Sequence, residues 1–486
     1  MMLNEKFRLS FILFFLFISY GASSFKADEC KNFKWQSKSC KIANIISYPS
    51  LLFFEGFNQT FEFIKTSLNN GQPVISGRIV REPQITKERF IESEPFFTFN
   101  YKKGTRKNAG YLLLAFTDPR KIDKSSSIEL WDLKQQEKIH TYDIDFNQIG
   151  LKGKDLQRGL KHPLLLEDGS LITYIDTITK NNQKPLLKIN KCGKLLVKRD
   201  DAHYHHSIEI DQDGLIYVPS RPKPEEIDLN IFPKGFISDG FHIFDSDLNL
   251  LSKYSLIDIY KKNNLLKDII SHGPIKVNPF HLNDVQPYKT IDGKKIVLLS
   301  IRNQSKILAF DLDQEKIIWI IDRATSHQHD VDIFQGHKDY INISIFDNNV
   351  YFFDKYTIPE FESNRYITFE NLNFNPNKQI QFIDTPNKFK NYDMKIDSFN
   401  YLPINLRPIT KTEGLSEFSK SNNSLMIEET NYGRLFEIDL KTKKLLWQFL
   451  NKSKKDGLLY YLNWSRRIDS LPGNLNNNSF ESCDDS

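Results

Sequence analysis

From about residue 106 onward, short runs of Ile, Leu, Val, Phe and Tyr alternate with polar turns, and few stretches are long enough for a good helix. One unit recurs along this region: an apolar strand, an Asp or Asn, a short polar turn, then a second apolar strand. Its copies are Ile128-Glu129-Leu130-Trp131-Asp132, Leu187-Lys188-Ile189-Asn190, Phe241-His242-Ile243-Phe244-Asp245, Ile307-Leu308-Ala309-Phe310-Asp311 and Leu435-Phe436-Glu437-Ile438-Asp439. The spacing is about 60 residues, and a weaker copy, Gln381-Phe382-Ile383-Asp384, falls in the one double-length gap. Units of this kind bury one face each and must stack on their neighbours. Closing the stack into a ring protects the strand edges, so the pattern predicts an all-β, six-bladed β-propeller over residues 106–472. A pair of β-sandwiches or an open solenoid are the competing architectures.

The flanks differ. Residues 25–105 lack the repeat, and the aromatic and aliphatic spacing from Ile42 to Leu68, broken at Pro49, predicts a small, partly helical N-terminal accessory segment. Ahead of it, Lys6 and Arg8 precede an apolar run from Leu9 to Ile18 and the small residues Gly21-Ala22-Ser23-Ser24, the order of an export signal over residues 1–24. The uncharged stretch to Phe25 is shorter than the roughly 20 residues that span a bilayer, so cleavage and a periplasmic or secreted protein are expected over a retained anchor. Residues 473–486 are polar and Asn-rich, an expected mobile tail.

Composition adds little against this frame. The chain has 486 residues, 40% of them hydrophobic, and a net charge of +5 spread along its length, which gives no nucleic-acid footprint. Its four cysteines, Cys30, Cys40, Cys192 and Cys483, form no Cys-x-x-Cys pair; Cys30 and Cys40 are spaced to close a small loop outside the cytoplasm.

The chemistry lies in the histidines. His206, His281 and His329 each stand just ahead of an expected strand, and residues at the same phase of different blades meet in a propeller's central channel. Arg302, ahead of its blade's hairpin, would add a permanent positive fork suited to a sulfate or phosphate group. Asn283 and Asp330 are adjacent candidates for binding substrate or fixing an imidazole's tautomer. His203, His205 and His327 read as structural neighbours. No Gly-x-x-x-x-Gly-Lys phosphate loop occurs, as an enzyme without a nucleotide would allow.

In order and wording these stretches resemble the arylsulfotransferase family. His206 followed by Gly214, His281-x-Asn283, Ser300-x-Arg302, and Gln328-His329 followed by Phe346-Asp347-Asn348 match its successive motifs, with Ile128 to Tyr142 and Asn463-Trp464-Ser465-Arg466-Arg467 resembling its opening and closing hairpins. The resemblance implies transfer of a sulfuryl group from a phenolic sulfate ester to a phenol, through a covalent sulfohistidine and without a nucleotide, cofactor or metal. It implies His329 as nucleophile, with Arg302, His206 and His281 stabilising charge and one of the two histidines exchanging the phenol's proton. The N-terminal segment does not match that of bacterial members, so the resemblance leaves any oligomer open. Two other readings remain: a non-catalytic scaffold propeller, and a zinc or copper site built from His203, His205, His206, His281 and His329.

Overall fold

The computed structural model describes residues 89–480 except 91–92, 151–158, 177–183, 223–231, 233–234, 271–276, 338–339, 351–362, 375–379, 385–392, 404–405 and 411. All of these belong to one compact unit, Gly77–Ser486. The export signal, the Ile42–Leu68 helices and Cys30, Cys40 and Cys483 lie outside the described residues. Among the described residues no helix is long and apolar enough to cross a membrane.

Six antiparallel blades form the propeller expected from the repeat. The first strand, β1 (Phe96–Phe99), belongs to the last blade; β2 (Tyr111–Thr117), β3 (Ser126–Asp132) and β4 (Glu137–Tyr142) belong to blade 1. Blade 2 is β5 (Leu160–Leu165), β6 (Leu171–Ile175), β7 (Leu186–Ile189) and β8 (Leu195–Arg199). Blade 3 is β9 (His203–Tyr204), β10 (Glu209–Ile210), β11 (Ile216–Arg221), β12 (Gly240–Phe244) and β13 (Leu250–Ser255). Blade 4 is β14 (Leu282–Lys289), β15 (Lys295–Ile301), β16 (Lys306–Asp311) and β17 (Lys316–Asp322). Blade 5 is β18 (Asp330–Gly336), β19 (Tyr340–Asp347), β20 (Arg365–Asn373) and, after an intervening strand β21 (Gln381–Asp384), β22 (Asp393–Asp397). Blade 6 is β23 (Leu415–Ser419), β24 (Ser424–Glu429), β25 (Arg434–Asp439) and β26 (Leu445–Leu450).

The first and last strands of the described residues close the ring. β1 pairs with β26 as the outermost strand of blade 6, so the propeller begins at Phe96, ahead of the boundary expected at residue 106. β27 (Arg466–Ile468) pairs with β2 as the innermost strand of blade 1. The apolar core is divided accordingly: each neighbouring pair of blades shares one buried cluster, as where Phe241 and Tyr217 of blade 3 meet Val285 and Leu308 of blade 4. The remaining five junctions are filled in the same way.

The recurring Asp or Asn has a local cause. Asp132, Asn190, Asp245, Asp311 and Asp439 each accept main-chain N–H bonds from the turn that follows, an Asx turn that sets the hairpin. The weaker copy at Gln381–Asp384 does something else: β21 runs parallel to β17 as a fifth strand on blade 4, so its apolar run covers that blade's edge and does not build blade 5's hairpin. The expected mobile tail is also corrected for its first part. Phe480 is buried in the cluster between blades 1 and 2, and Lys191 Nζ donates to Ser479 O at 3.1 Å. Cys192, beside that contact, is disulfide-bonded to a partner outside the described residues.

Candidate functional site

One backbone device is repeated from blade to blade around the propeller's centre. Trp464 (φ 62°), His206 (φ 62°), His281 (φ 55°) and His327 (φ 58°) are left-handed non-glycine residues just ahead of the innermost strands of blades 1, 3, 4 and 5, and His162 (φ 49°) is one within β5 where its register shifts. Such a residue costs about 1 kcal/mol of backbone strain, and histidine is among the types that tolerate it. The turn breaks the in-out alternation of the strand and brings rings from separate blades together.

The rings of His206, His281 and His329 meet there, with the Arg302 guanidinium near enough to His281 and His329 to oppose their protonation. His206 Nε2 and His281 Nε2 are 3.1 Å apart, and the His206 ring lies 5.8 Å from that of His329. The Trp464 ring is 5.6 Å from His206 and 6.2 Å from His329, giving the cluster an apolar wall. Arg302 is tied to His281 within blade 4, its N–H donating to His281 O at 3.1 Å.

The hydrogen bonds around His329 fix its tautomer. Nδ1 faces two acceptors, Asn348 Oδ1 at 2.5 Å and His327 O at 3.2 Å, so Nδ1 carries the proton. The Asn348 amide cannot turn round, because its Nδ2 already donates to Thr410 O at 2.9 Å and Glu413 O at 3.2 Å. The other ring nitrogen, Nε2, is buried and makes no hydrogen bond. A neutral imidazole in this state keeps one unshared electron pair at Nε2.

Burial keeps all three rings neutral. Desolvation first, then the Arg302 guanidinium, pushes His329 and His281 well below the usual histidine range. His206 is pushed down by desolvation and by His205, its other ring neighbours and Lys161. Desolvation also lowers Arg302, to about 10, so it remains a cation at neutral pH.

Asn283 and Asp330 sit near these groups without fixing their tautomers, which corrects that expectation. Asn283 Nδ2 donates to Gln328 O at 3.0 Å and so steadies the chain entering His329. Asp330 turns away: its Oδ2 accepts from Ser416 N at 2.9 Å, tying blade 5 to blade 6 as Asp284 Oδ2 ties blade 4 to blade 5 through Val331 N. The tautomer of His329 is set by Asn348, and Asn278 Nδ2 contacts His281 Nδ1 at 3.0 Å. Asn348 was visible in Phe346-Asp347-Asn348, but distance in sequence hid its contact; Asn278 and Trp464 carried no separate signal. Of the residues set aside, His205 pairs with Asp239 at 3.4 Å and His327 Nδ1 bonds Val350 O at 2.8 Å.

Further into the channel lies a second layer of ionisable groups. Glu209, Asp284, Asp332 and Glu417 come from four blades; Glu209, Asp332 and Glu417 lie around Arg466, which donates to both Glu209 oxygens at 3.1 Å, and Asp284 lies beside Glu209 and Asp332. Desolvation, with their neighbours' negative charge, raises Asp284, Asp330 and Glu417 well above the carboxylate range and Asp332 to about 7. Among the described residues no three His, Cys, Asp or Glu side chains are arranged to hold a metal ion.

Solved structures similar to the chain include TolB from Acinetobacter baumannii (10% identity, 74% of this chain and 66% of that one, TM-score 0.40) and hydrazine synthase from Kuenenia stuttgartiensis (11%, 70% and 81%, TM-score 0.35). The β-propeller domain of Cps50 (Swd1) from Myceliophteria thermophila is a third (9%, 72% and 89%, TM-score 0.36). The chain thus spans about two thirds of the length of the first of these. No curated protein matches. The profile of the arylsulfotransferase (ASST) family matches residues 162–452, more than half of the chain and all four residues of the cluster. The chain belongs to the arylsulfotransferase family, a family of sulfotransferases.

Proposed function

We propose that the protein moves a sulfuryl group from a phenolic sulfate ester to a phenolic acceptor through a covalent sulfohistidine at His329, with no nucleotide donor. The observation that carries this reading is the state of His329: Nδ1 held as a donor by Asn348 and His327, Nε2 bare and buried beside Arg302. In the first half-reaction the Nε2 electron pair bonds to sulfur and the S–O pair leaves on the phenolate, splitting one hard exchange into two easier ones. The Nδ1–H bonds to Asn348 and His327 strengthen as the ring becomes cationic. Arg302 supports the sulfuryl oxygens with a fixed fork. In the second half the neutral His206–His281 pair accepts the acceptor phenol's proton as its oxygen attacks sulfur.

Export to an oxidising compartment, periplasmic or extracellular, is part of the same proposal; the basic-then-apolar start and the disulfide at Cys192 support it.

The test is incubation of nucleotide-free protein with 4-nitrophenyl sulfate, with and without a phenol. Nitrophenol release that requires the phenol, and appearance of the phenol's sulfate ester, is the expected result. Release by water alone would make the protein a sulfatase, and no release with any acceptor would leave the scaffold reading.

A further inference from the structure

The first half-reaction needs more positive charge than the four clustered residues supply. As the S–O bond breaks, its electron pair departs on a phenolic oxygen, and that oxygen becomes an anion inside a buried site. The three imidazoles are neutral, so Arg302 is the one permanent cation among the four, and its fork suits the sulfuryl oxygens.

Another permanent cation stands beside them. Lys161, on β5 and only 3% exposed, places its Nζ 2.6 Å from Glu413 Oε2 and 3.5 Å from Asp176 Oδ2. Its neighbour His162 has its ring 5.4 Å from that of Trp464, the wall of the histidine cluster. The ammonium is close enough to His206 to oppose that ring's protonation, and Glu413 close enough to Arg302 to favour its charge. Glu413 also holds the site through its main chain, whose carbonyl accepts from Asn348 Nδ2 at 3.2 Å. A lysine kept only for stability gains little from such burial, since an apolar pair in its place is often as stable.

We propose that Lys161 contacts substrate: its ammonium leaves Glu413 to pair with the donor's phenolic oxygen as the S–O bond breaks, and with the acceptor's oxygen as the new S–O bond forms. The inference rests on the sulfuryl-transfer reading. Bonds balance without a further reactant. The N–S bond at His329 forms as the donor's S–O bond breaks; then the acceptor's O–S bond forms, the N–S pair returns to His329 Nε2, and the acceptor's proton passes to the His206–His281 pair.

A charge on the leaving oxygen matters most where that oxygen is most basic, so the experiment compares donors. The donor-half kcat/KM is measured for 4-nitrophenyl, phenyl and 4-methoxyphenyl sulfates with the wild-type protein and with Lys161→Met, Lys161→Arg and Glu413→Gln. Lys161→Met should lose about 10²-fold or more on the 4-methoxyphenyl ester and less than about 10-fold on the nitrophenyl ester. Lys161→Arg should recover most of the difference, and Glu413→Gln, which keeps the ammonium, should be no steeper across the series than wild type. An equal loss by Lys161→Met on every donor overturns the proposal. So does a Glu413→Gln series steeper than that of wild type, a result that can be read even if Lys161→Met does not fold. Absence of exchange by the wild-type protein on any donor overturns the transfer reading itself.

Discussion

The two layers of the channel answer the same burial in opposite ways. His206, His281 and His329 stand at the strand heads, and Glu209, Asp284 and Asp332 lie three residues further on in the same blades. Desolvation disfavours charge on both kinds of group, so it depresses the three histidines and raises Asp284 and Asp332. The outer layer therefore holds neutral imidazoles beside Arg302 and Lys161; the inner layer holds the Arg466–Glu209 ion pair with Asp284, Asp332 and Glu417, whose carboxyls burial raises. The first arrangement offers nucleophile and charge to an anion. The second offers an anion nothing, and serves to tie blades together through contacts such as Asp284 to Val331 N and Asp330 to Ser416 N.

The sharpest way to break this contrast is to remove the bare nitrogen. His329→Asn should lower kcat for exchange by about 10⁴-fold or more while leaving thermal stability close to wild type; the same loss from a substitution in the inner layer would erase the distinction. Next comes Arg302→Met, expected to cost about 10²–10³-fold in kcat/KM with the fold intact by circular dichroism. Asn348→Ala removes the acceptor that holds the Nδ1 proton, and about 10–100-fold lower kcat is expected, with KM for the donor little changed.

Only part of this was written in the chain. The repeat at about 60 residues gave the propeller because each copy ends in an Asp or Asn that caps its own hairpin, a contact local in sequence. The same local signal misled at Gln381–Asp384, where a strand-like run pairs with β17 of another blade, a choice made by edge protection far along the chain. His206, His281 and His329 were legible because each stands just ahead of a strand, and Arg302 through the Ser300-x-Arg302 stretch of the family resemblance. Lys161 and Glu413 were not: their 2.6 Å contact joins blade 2 to the chain entering blade 6 and exists only once the ring is closed. Asp330 was assigned by adjacency to His329, yet its side chain turns to Ser416, since neighbours in a strand face opposite ways.

The layers also make opposite demands on pH. Below about pH 6.5 the unfolded chain protonates its histidines while the native rings stay neutral, so the outer layer loses stability as pH falls. The raised carboxylates bind protons in the native state where the unfolded chain does not, so the inner layer loses stability as pH rises from about 4 toward 7, where Asp332 ionises. Asp332→Asn should therefore stabilise the protein more at pH 8 than at pH 5, read as Tm at each pH. The smallest effect expected is on activity: because native His329 remains neutral well below pH 6.5, the donor-half kcat/KM should change less than about twofold between pH 8 and 6.5.

The most direct test of the central claim is to quench the protein with ³⁵S-labelled aryl sulfate in the absence of acceptor and nucleotide, then map the label under alkaline conditions that preserve sulfo-imidazole. One label per chain on the peptide containing His329, attached at Nε2 and discharged by added phenol, is the predicted result. Label that stays elsewhere in the chain, or that persists in His329→Asn, would contradict it.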